Sequence, residues 1–370
     1  MSKVLGIIFS DMHDAAMGEL TEHRTMGSVP FGGRYRLIDF TLSNMVNSGI
    51  SDVGIITKSN YQSLMDHVGS GKEWDLSRKK GGLCILPPYG REDAGYYRGR
   101  LEALYGIRNY IKNFHADYVV LSDCDMVTSI NFEDMIRYHK KCEADITVAY
   151  QNKKLISNQV QDTSVLKLDE HRRVVDTLVN PEVESGNVNL NMVVIRKDLL
   201  ERIIRDAASH NEYNMLKTVF QRGVNDYRIY GYEHTGYVAD IKGMSSFYDC
   251  NLELLRPEVR SALFPAARPV YTKVRDEVPV KYGISANVKN SMIADGCVIQ
   301  GTVENSLIFR GVKIGKGAVV RNCVIMQGTV VGENSHLDSV ITDKDVLIRD
   351  SRTLVGCASY PMYISKGSAV

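Results

Sequence analysis

One tryptophan in 370 residues, no Cys-x-x-Cys pair and no long apolar run are the first absences in this sequence. A bilayer span needs roughly 20 consecutive apolar residues, and no stretch comes near that. The seven cysteines (84, 124, 142, 250, 297, 323 and 357) are scattered and odd in number. Such spacing excludes a disulfide framework and a zinc ribbon and fits reduced thiols in a cytosol. Net charge is also missing: 45 basic against 44 acidic residues leave +1. Neither nucleic acid nor an anionic membrane therefore has an electrostatic claim on the chain. The first apolar run stops at Asp11 with no small-residue cleavage site behind it, so it reads as a strand opening a domain. The expectation is a cytoplasmic protein with no nucleic-acid or membrane partner.

What is present divides near residue 256. Up to about Leu255, the runs Val4 to Phe9, Val53 to Thr57, Tyr118 to Leu121, Ile146 to Tyr150 and Met192 to Ile195 read as buried strands. Segments of helical period lie among them: Leu37 to Ser48, Gln62 to Val68, Arg100 to Lys112 and Phe132 to Lys141. This alternation predicts an α/β domain over 1–255, with a mostly parallel sheet covered by helices on both faces. Ligands of such sheets bind beyond the carboxyl ends of the strands, which singles out the connection Ser10 to Pro30.

Pro257, Pro265, Pro269 and Pro279 mark 256–284 as an extended connector on the surface. Over 285–370 aliphatic residues return at short intervals. Val288, Ile293, Val298, Val303 and Ile308 recur every five residues, then Ile314, Val320, Ile325, Val331 and Leu337 at five or six. Phe309 is the only aromatic between Ser285 and Leu354. That period fits a parallel β-helix of hexapeptide type. An antiparallel meander is the competing reading, and the absence of Asn-Gly turns weighs against it.

Several motifs then carry a resemblance. Val29-Pro-Phe-Gly-Gly-Arg-Tyr-Arg-Leu-Ile-Asp-Phe40, Leu42-Ser-Asn44, Asn47-Ser-Gly-Ile50, Trp74-Asp-Leu76, Leu86-Pro-Pro-Tyr89, Tyr97-Arg-Gly99, Gly236-Tyr237 with Asp240, and Asn251 with Leu254-Leu255 occur in order. Gly301-Thr-Val-Glu-Asn305, Gly311-Val-Lys-Ile-Gly315 and Asp343-Lys-Asp-Val346 continue them. Together they resemble bacterial glucose-1-phosphate adenylyltransferase, also called ADP-glucose pyrophosphorylase. The resemblance implies a Rossmann-like nucleotidyltransferase domain, a C-terminal left-handed β-helix and a tetramer. It also implies a reaction in which the phosphate of glucose 1-phosphate attacks the α-phosphorus of ATP and pyrophosphate leaves. That chemistry needs backbone amides around the triphosphate, cations, and carboxylates for Mg²⁺.

The residues that would do this are altered. Where the family has a glycine-rich loop, this chain has Asp11-Met-His-Asp-Ala-Ala-Met17, with Asp11 and Asp14 facing the place of a triphosphate and Ala16 at the arginine position. A family lysine aligns with Met26, with Arg24 nearby, and one metal-binding aspartate aligns with Cys124 in Leu121-Ser-Asp-Cys-Asp125. Thiolate is a poor magnesium ligand. Strand alternation points Asp123 and Asp125 away from the direction of residue 124. Asp240 matches the second metal aspartate, so Asp240 and Asp125 are the remaining metal candidates, for Mg²⁺ if any activity survives. A new metal site from Asp11, His13 and Asp14 is a further reading of the loop.

Tyr97, Gly99, Glu102 and Asp240 stand as remnants of the sugar and nucleotide pocket, while Leu178-Val-Asn-Pro181 lacks the sugar-phosphate lysine and Asn189-Leu-Asn191 replaces a Ser-Met-Gly. Scaffold motifs intact and active-site residues replaced resemble the regulatory GlgD-type subunit of Gram-positive bacteria. That implies a poorly active chain whose partner is the catalytic subunit, in a heterotetramer, supporting ADP-glucose synthesis for glycogen. The family's phosphorylated effectors bind near the Gly-Gly motif, which makes Arg34, Arg36, Arg349 and Arg352 effector candidates. Alternatively these arginines pair with carboxylates such as Asp39 or Asp350. Two other functions stay open: an active sugar-1-phosphate nucleotidyltransferase with a remodelled site, and a hexapeptide acyltransferase using His336.

Overall fold

The computed structural model describes residues 3–88, 97–155 and 163–370; Tyr89 of the Leu-Pro-Pro-Tyr motif lies outside them. The first domain is built on a nine-stranded sheet. Val4–Phe9 is at its centre, paired in parallel with Asp52–Ile56 on one side and Tyr118–Asp123 on the other. Gly82–Leu86 extends the parallel half. The long strand Ser185–Arg196 runs antiparallel to Tyr118–Asp123 and also pairs with Ile146–Lys154 and Ser164–Leu168. The sheet is therefore parallel at its core and mixed beyond it.

Successive residues of a strand face opposite sides, and the central strand feeds two cores. Leu5, Ile7 and Phe9 pack with Leu101, Leu104, Ile111 and Ile203. Ile8 packs on the opposite side with Met45, Val53, Val120 and Phe132. Helices thus cover both faces. The helix expected over Arg100 to Lys112 is two pieces, Arg100–Gly106 and Arg108–Asn113, broken at Ile107 (φ −98°, ψ 14°) just after a weak helix former. Among the described residues no helix is long and apolar enough to cross a membrane.

The segment after residue 256 does not begin extended. Pro257 occupies the start of a helix, Pro257–Leu263, where its fixed φ and missing N–H cost nothing. From Lys281 the chain winds into three five-stranded parallel sheets. Val298 pairs with Lys313 and Lys313 with Val330, about three hexapeptides per coil. These coils form the left-handed β-helix that the resemblance implies. Asn290, Asn305 and Asn322 turn successive corners at φ +42°, +47° and +50°, a region asparagine tolerates.

Each short strand on one side of the β-helix divides its work. Ile308 and Ile325 fill the narrow interior, while Leu307, Val324 and Ile341 join the first domain's core. Gly32 and Gly33 (φ +63° and +84°) form the tight turn at this boundary, and Asn251 Oδ1 accepts the Gly32 N–H at 3.0 Å. A buried bidentate ion pair crosses it too: Arg24 donates to both Asp343 oxygens at 2.9 and 2.8 Å, and Tyr363 Oη donates to one of them at 2.9 Å. Removing one member strands the other charge, which typically costs about 3–5 kcal/mol. Arg24→Ala is therefore expected to lower unfolding stability by about that amount in urea titration. Arg24→Met combined with Asp343→Leu should recover most of the loss; no recovery would contradict the assignment.

Candidate functional site

The connection after the first strand closes on itself instead of opening a cradle. Asp14–Thr21 coils into tight helical turns kinked at Gly18 (φ 53°, ψ −127°), burying Met17 and Leu20 while Ala16 stays exposed. Asp14 turns inward, its Oδ1 accepting the Met26 N–H at 2.7 Å, and Gly27 N–H returns to Ser10 O at 2.9 Å. Met26 is buried at 2% exposure. The chain that would wrap a triphosphate instead satisfies its own donors. Burial pushes Asp11 up to about 7, with Asp14 adding and Lys58 opposing. Asp14 also rises to about 7, again mainly through burial.

The strand end Asp123-Cys124-Asp125 shows the alternation expected from sequence. Cys124 faces the core on the side of Gly27, and burial drives its thiol pKa well upward. Asp123 and Asp125, each 1% exposed, face the other way. Arg100 bonds Asp123 through both Nη2 and Nε, the latter at 3.3 Å from Oδ1. His13 Nε2 lies 3.3 Å from Asp123 Oδ2 and 3.3 Å from Asp125 Oδ2. Although burial opposes it, Arg100 and His13 hold Asp123 below its ordinary range. Burial, with Asp123 and Asp240 adding, lifts Asp125 to about 6 against His13.

Asp240 is compensated in the same manner. Lys153 Nζ and Lys242 Nζ stand 2.8 and 3.2 Å from its Oδ2, and they outweigh burial to hold it ionised. The residues present do not fit the family's Mg²⁺: one position is a buried thiol and the other carboxylate already has two ammonium partners. The trio Asp11, His13 and Asp14 is also corrected, since Asp14 is bound to its own loop and His13 reaches Asp123 and Asp125.

The remaining pocket positions have local duties. Tyr97 Oη donates to Thr57 O at 2.5 Å. Gly99 precedes the helix Arg100–Gly106 where a Cβ would meet Tyr213 O at 2.4 Å. Glu102 spends its carboxylate on Arg98 at 3.1 Å, at the surface. Asn189 bonds Ser164 Oγ and the Asn191 N–H, at 3.0 and 2.8 Å.

Arg34 and Arg36 do converge, but with other partners than expected. They line an interdomain cleft with Lys273, Arg275, Arg310 and Lys344, and its described lining residues include no carboxylate. Asp39 nevertheless helps to shape it: its Oδ2 caps the Arg36 N–H at 2.9 Å and its Oδ1 meets His67 Nε2 at 2.5 Å. Burial, then the neighbouring Arg36 and Arg24, bring Lys344 down to about 7. Arg36 falls to about 10 for similar reasons. Arg349 and Arg352 are exposed and line a separate shallow depression with Asp350. Sequence reasoning missed Arg100, Lys153, Arg275, Arg310 and Lys344. Lys344 alone carried a signal, as part of the Asp343-Lys-Asp-Val346 motif.

Comparison with known proteins agrees with this layout. Residues 17–256 match the family described as nucleotidyl transferase, and residues 278–359 match the GlmU-like, C-terminal hexapeptide family. Glycogen biosynthesis protein GlgD of Bacillus subtilis (strain 168) is 35% identical over 370 residues, covering 99% of this chain and 96% of that protein. A glucose-1-phosphate adenylyltransferase of Clostridium perfringens (strain 13) is 30% identical over 386 residues, covering 96% and 97%. One from Pseudothermotoga lettingae is 36% identical over 330 residues, covering 86% and 77%.

The raised carboxylates set a pH dependence. Asp11 and Asp14 titrate near 7 when folded against an ordinary 3.8, so the folded chain retains protons that the unfolded chain has released. Their contribution to stability is complete below about pH 4 and lost as pH rises through about 7. Asp11→Asn should flatten that loss, making the variant more stable than its parent at pH 8 and little changed at pH 4. Thermal unfolding in EDTA measures this, and equal pH slopes for parent and variant would contradict it.

Proposed function

Because the chain belongs to the nucleotidyl transferase family of the glucose-1-phosphate adenylyltransferases and GlgD, we propose that it serves glycogen biosynthesis as a regulatory, catalytically impaired subunit of a glucose-1-phosphate adenylyltransferase. One observation carries the reading: the acidic residues at the strand ends are neutralised by the chain's own Arg100, His13, Lys153 and Lys242. Catalysis of phosphoryl chemistry requires donors aimed at developing charge, and the loop that should supply them is folded onto Asp14 and Ser10. Losing a single such donor typically lowers turnover by about 10²–10³.

The chain's partner in this reading is the catalytic subunit, in a hetero-oligomer that the family resemblance makes a tetramer. A chain with an intact frame and a closed site can still bias a neighbour's conformational equilibrium. The basic cleft gives that bias an input, a phosphorylated small molecule held by Arg34, Arg36, Arg275 and Lys344. Pyrophosphate release from ATP, Mg²⁺ and glucose 1-phosphate tests the proposal. The isolated chain is expected to show little or none, and adding it to the catalytic subunit should raise the partner's rate. Robust turnover by the chain alone would overturn the proposal in favour of a remodelled active enzyme.

The cleft adds a second expectation. An anion favours the charged form of Lys344, which titrates near 7, so binding takes up a proton and weakens as pH rises through that value. Calorimetric titration with a sugar bisphosphate should give tighter binding at pH 6.5 than at pH 8.5. Lys344→Gln should weaken binding and remove most of the pH dependence; an unchanged profile would contradict the role of Lys344.

A further inference from the structure

The interdomain cleft holds more positive charge than the chain neutralises. Arg34, Arg36, Lys273, Arg275, Arg310 and Lys344 line it, with no carboxylate among the described lining residues. Arg310 is paired with Asp295 at 3.1 Å, and Arg24 close by is paired with Asp343. Other members bond only neutral groups. Arg36 Nη1 donates to the carbonyl and hydroxyl oxygens of Ser63, and Lys273 Nζ donates to the Asp66 carbonyl. Arg34 stands 5.7 Å from the centre of the Tyr35 ring. Like charges gathered in this way, partly out of water, call for an anion.

Lys344 is the one lining residue that chemistry can turn from a cation into an anion. Its backbone is fixed at a corner of the β-helix: its N–H donates to Asp343 Oδ1 at 2.7 Å and its carbonyl accepts the Gly367 N–H at 3.0 Å. Both Asp343 oxygens are held by Arg24. Among the described residues no carboxylate lies within ion-pair reach of the Lys344 ammonium. Burial, followed by Arg36 and Arg24, brings this half-buried amine down to about 7 against the pull of Asp343. Near neutrality a large share of it is therefore uncharged. An ordinary lysine, at about 10.4, is free to roughly one part in a thousand at pH 7.5. A desolvated lysine beside other cations is an activated nucleophile.

We propose that Lys344 is a carbon dioxide site, forming a carbamate whose negative charge is held by the cleft cations Arg36 and Arg275. The Nζ lone pair attacks the carbon of CO₂, one C–O electron pair moves onto oxygen, and an N–H proton leaves to solvent. No oxidant, reductant or further reactant enters the step. The product offers two oxygens to guanidinium groups, which pair with such anions through paired N–H donors. The charges of Arg36 and Arg275 are both felt at Lys344. The proposal goes beyond the regulatory reading and stands on the cleft residues alone. If that reading also holds, the carbamate competes with a phosphorylated effector for the same cations.

The full-length chain equilibrated with ¹³C-bicarbonate at pH 7.5 is expected to show a carbamate carbon signal that is absent in CO₂-free buffer. Trapping with triethyloxonium ion followed by peptide mapping should place the ethyl carbamate on Lys344. Its labelling should exceed that of the exposed Lys316 and Lys366 by about 100-fold or more, following the difference in free amine. At fixed dissolved CO₂ the occupancy should rise from pH 6 to pH 8. Lys344→Arg should abolish the signal, and Arg275→Gln should lower it several-fold. The peptide map of the parent needs no variant to fold. No trapped carbamate on Lys344, labelling no greater than on Lys316 and Lys366, or occupancy indifferent to Arg275→Gln would overturn the proposal. No readout contains ATP, a sugar phosphate or a partner subunit, so its failure is separate from failure of the regulatory reading.

Discussion

Five aspartates, at positions 11, 14, 123, 125 and 240, gather at the carboxyl ends of the central strands, largely out of water. Charge in that position must be neutralised, because the isolated penalty for burying an ion far exceeds the few kcal/mol by which domains are stable. An enzyme of this architecture leaves the task to metal and substrate. Here the chain performs it with Arg100, His13, Lys153 and Lys242, and burial raises Asp11 and Asp14 to about 7. The loop closure, the misfit to Mg²⁺ and the pH behaviour belong to the same internal neutralisation.

One segment links this centre to the second domain. His13 and Arg24 both lie on the connection after the first strand, the former between Asp123 and Asp125, the latter clamped to Asp343 of the β-helix. Lys344, next to Asp343, lines the basic cleft. The cleft and the centre are thus joined by one short stretch of backbone. That stretch is tightly packed: Met17 and Leu20 share the first domain's core with Leu307, Val324 and Ile341 of the β-helix.

Much of the frame was legible because it rests on local periodicity. Helices at Gln62–Val68 and Phe132–Lys141 fall where the apolar spacing puts them, and the five- to six-residue aliphatic repeat becomes the β-helix core of Ile299, Ile314, Val331 and Ile348. The antiparallel strands Ser164–Leu168 and Val174–Val179 gave no such signal, since mixed pairing leaves no distinct mark on one strand. The break at Ile107 was hidden because Leu101, Leu104 and Ile111 keep helical spacing across it. The loss of the glycine loop and of the Cys124 carboxylate was visible residue by residue. What replaced them was not: Arg100 meets Asp123, and Lys153 meets Asp240, only through the sheet. Arg349 and Arg352 drew notice as neighbours in sequence, yet corner geometry sends them outward, and Arg275, Arg310 and Lys344 occupy the cleft instead.

The central claim is that this centre is neutralised from within and has no room for a nucleotide's charge. Calorimetric titration of the isolated chain with ATP in millimolar Mg²⁺ tests it most directly. The account predicts no saturable, Mg²⁺-dependent heat at the strand ends, in the parent or in a Lys344→Gln variant that disables the separate cleft. Stoichiometric micromolar binding that requires Mg²⁺ and persists in that variant would contradict it.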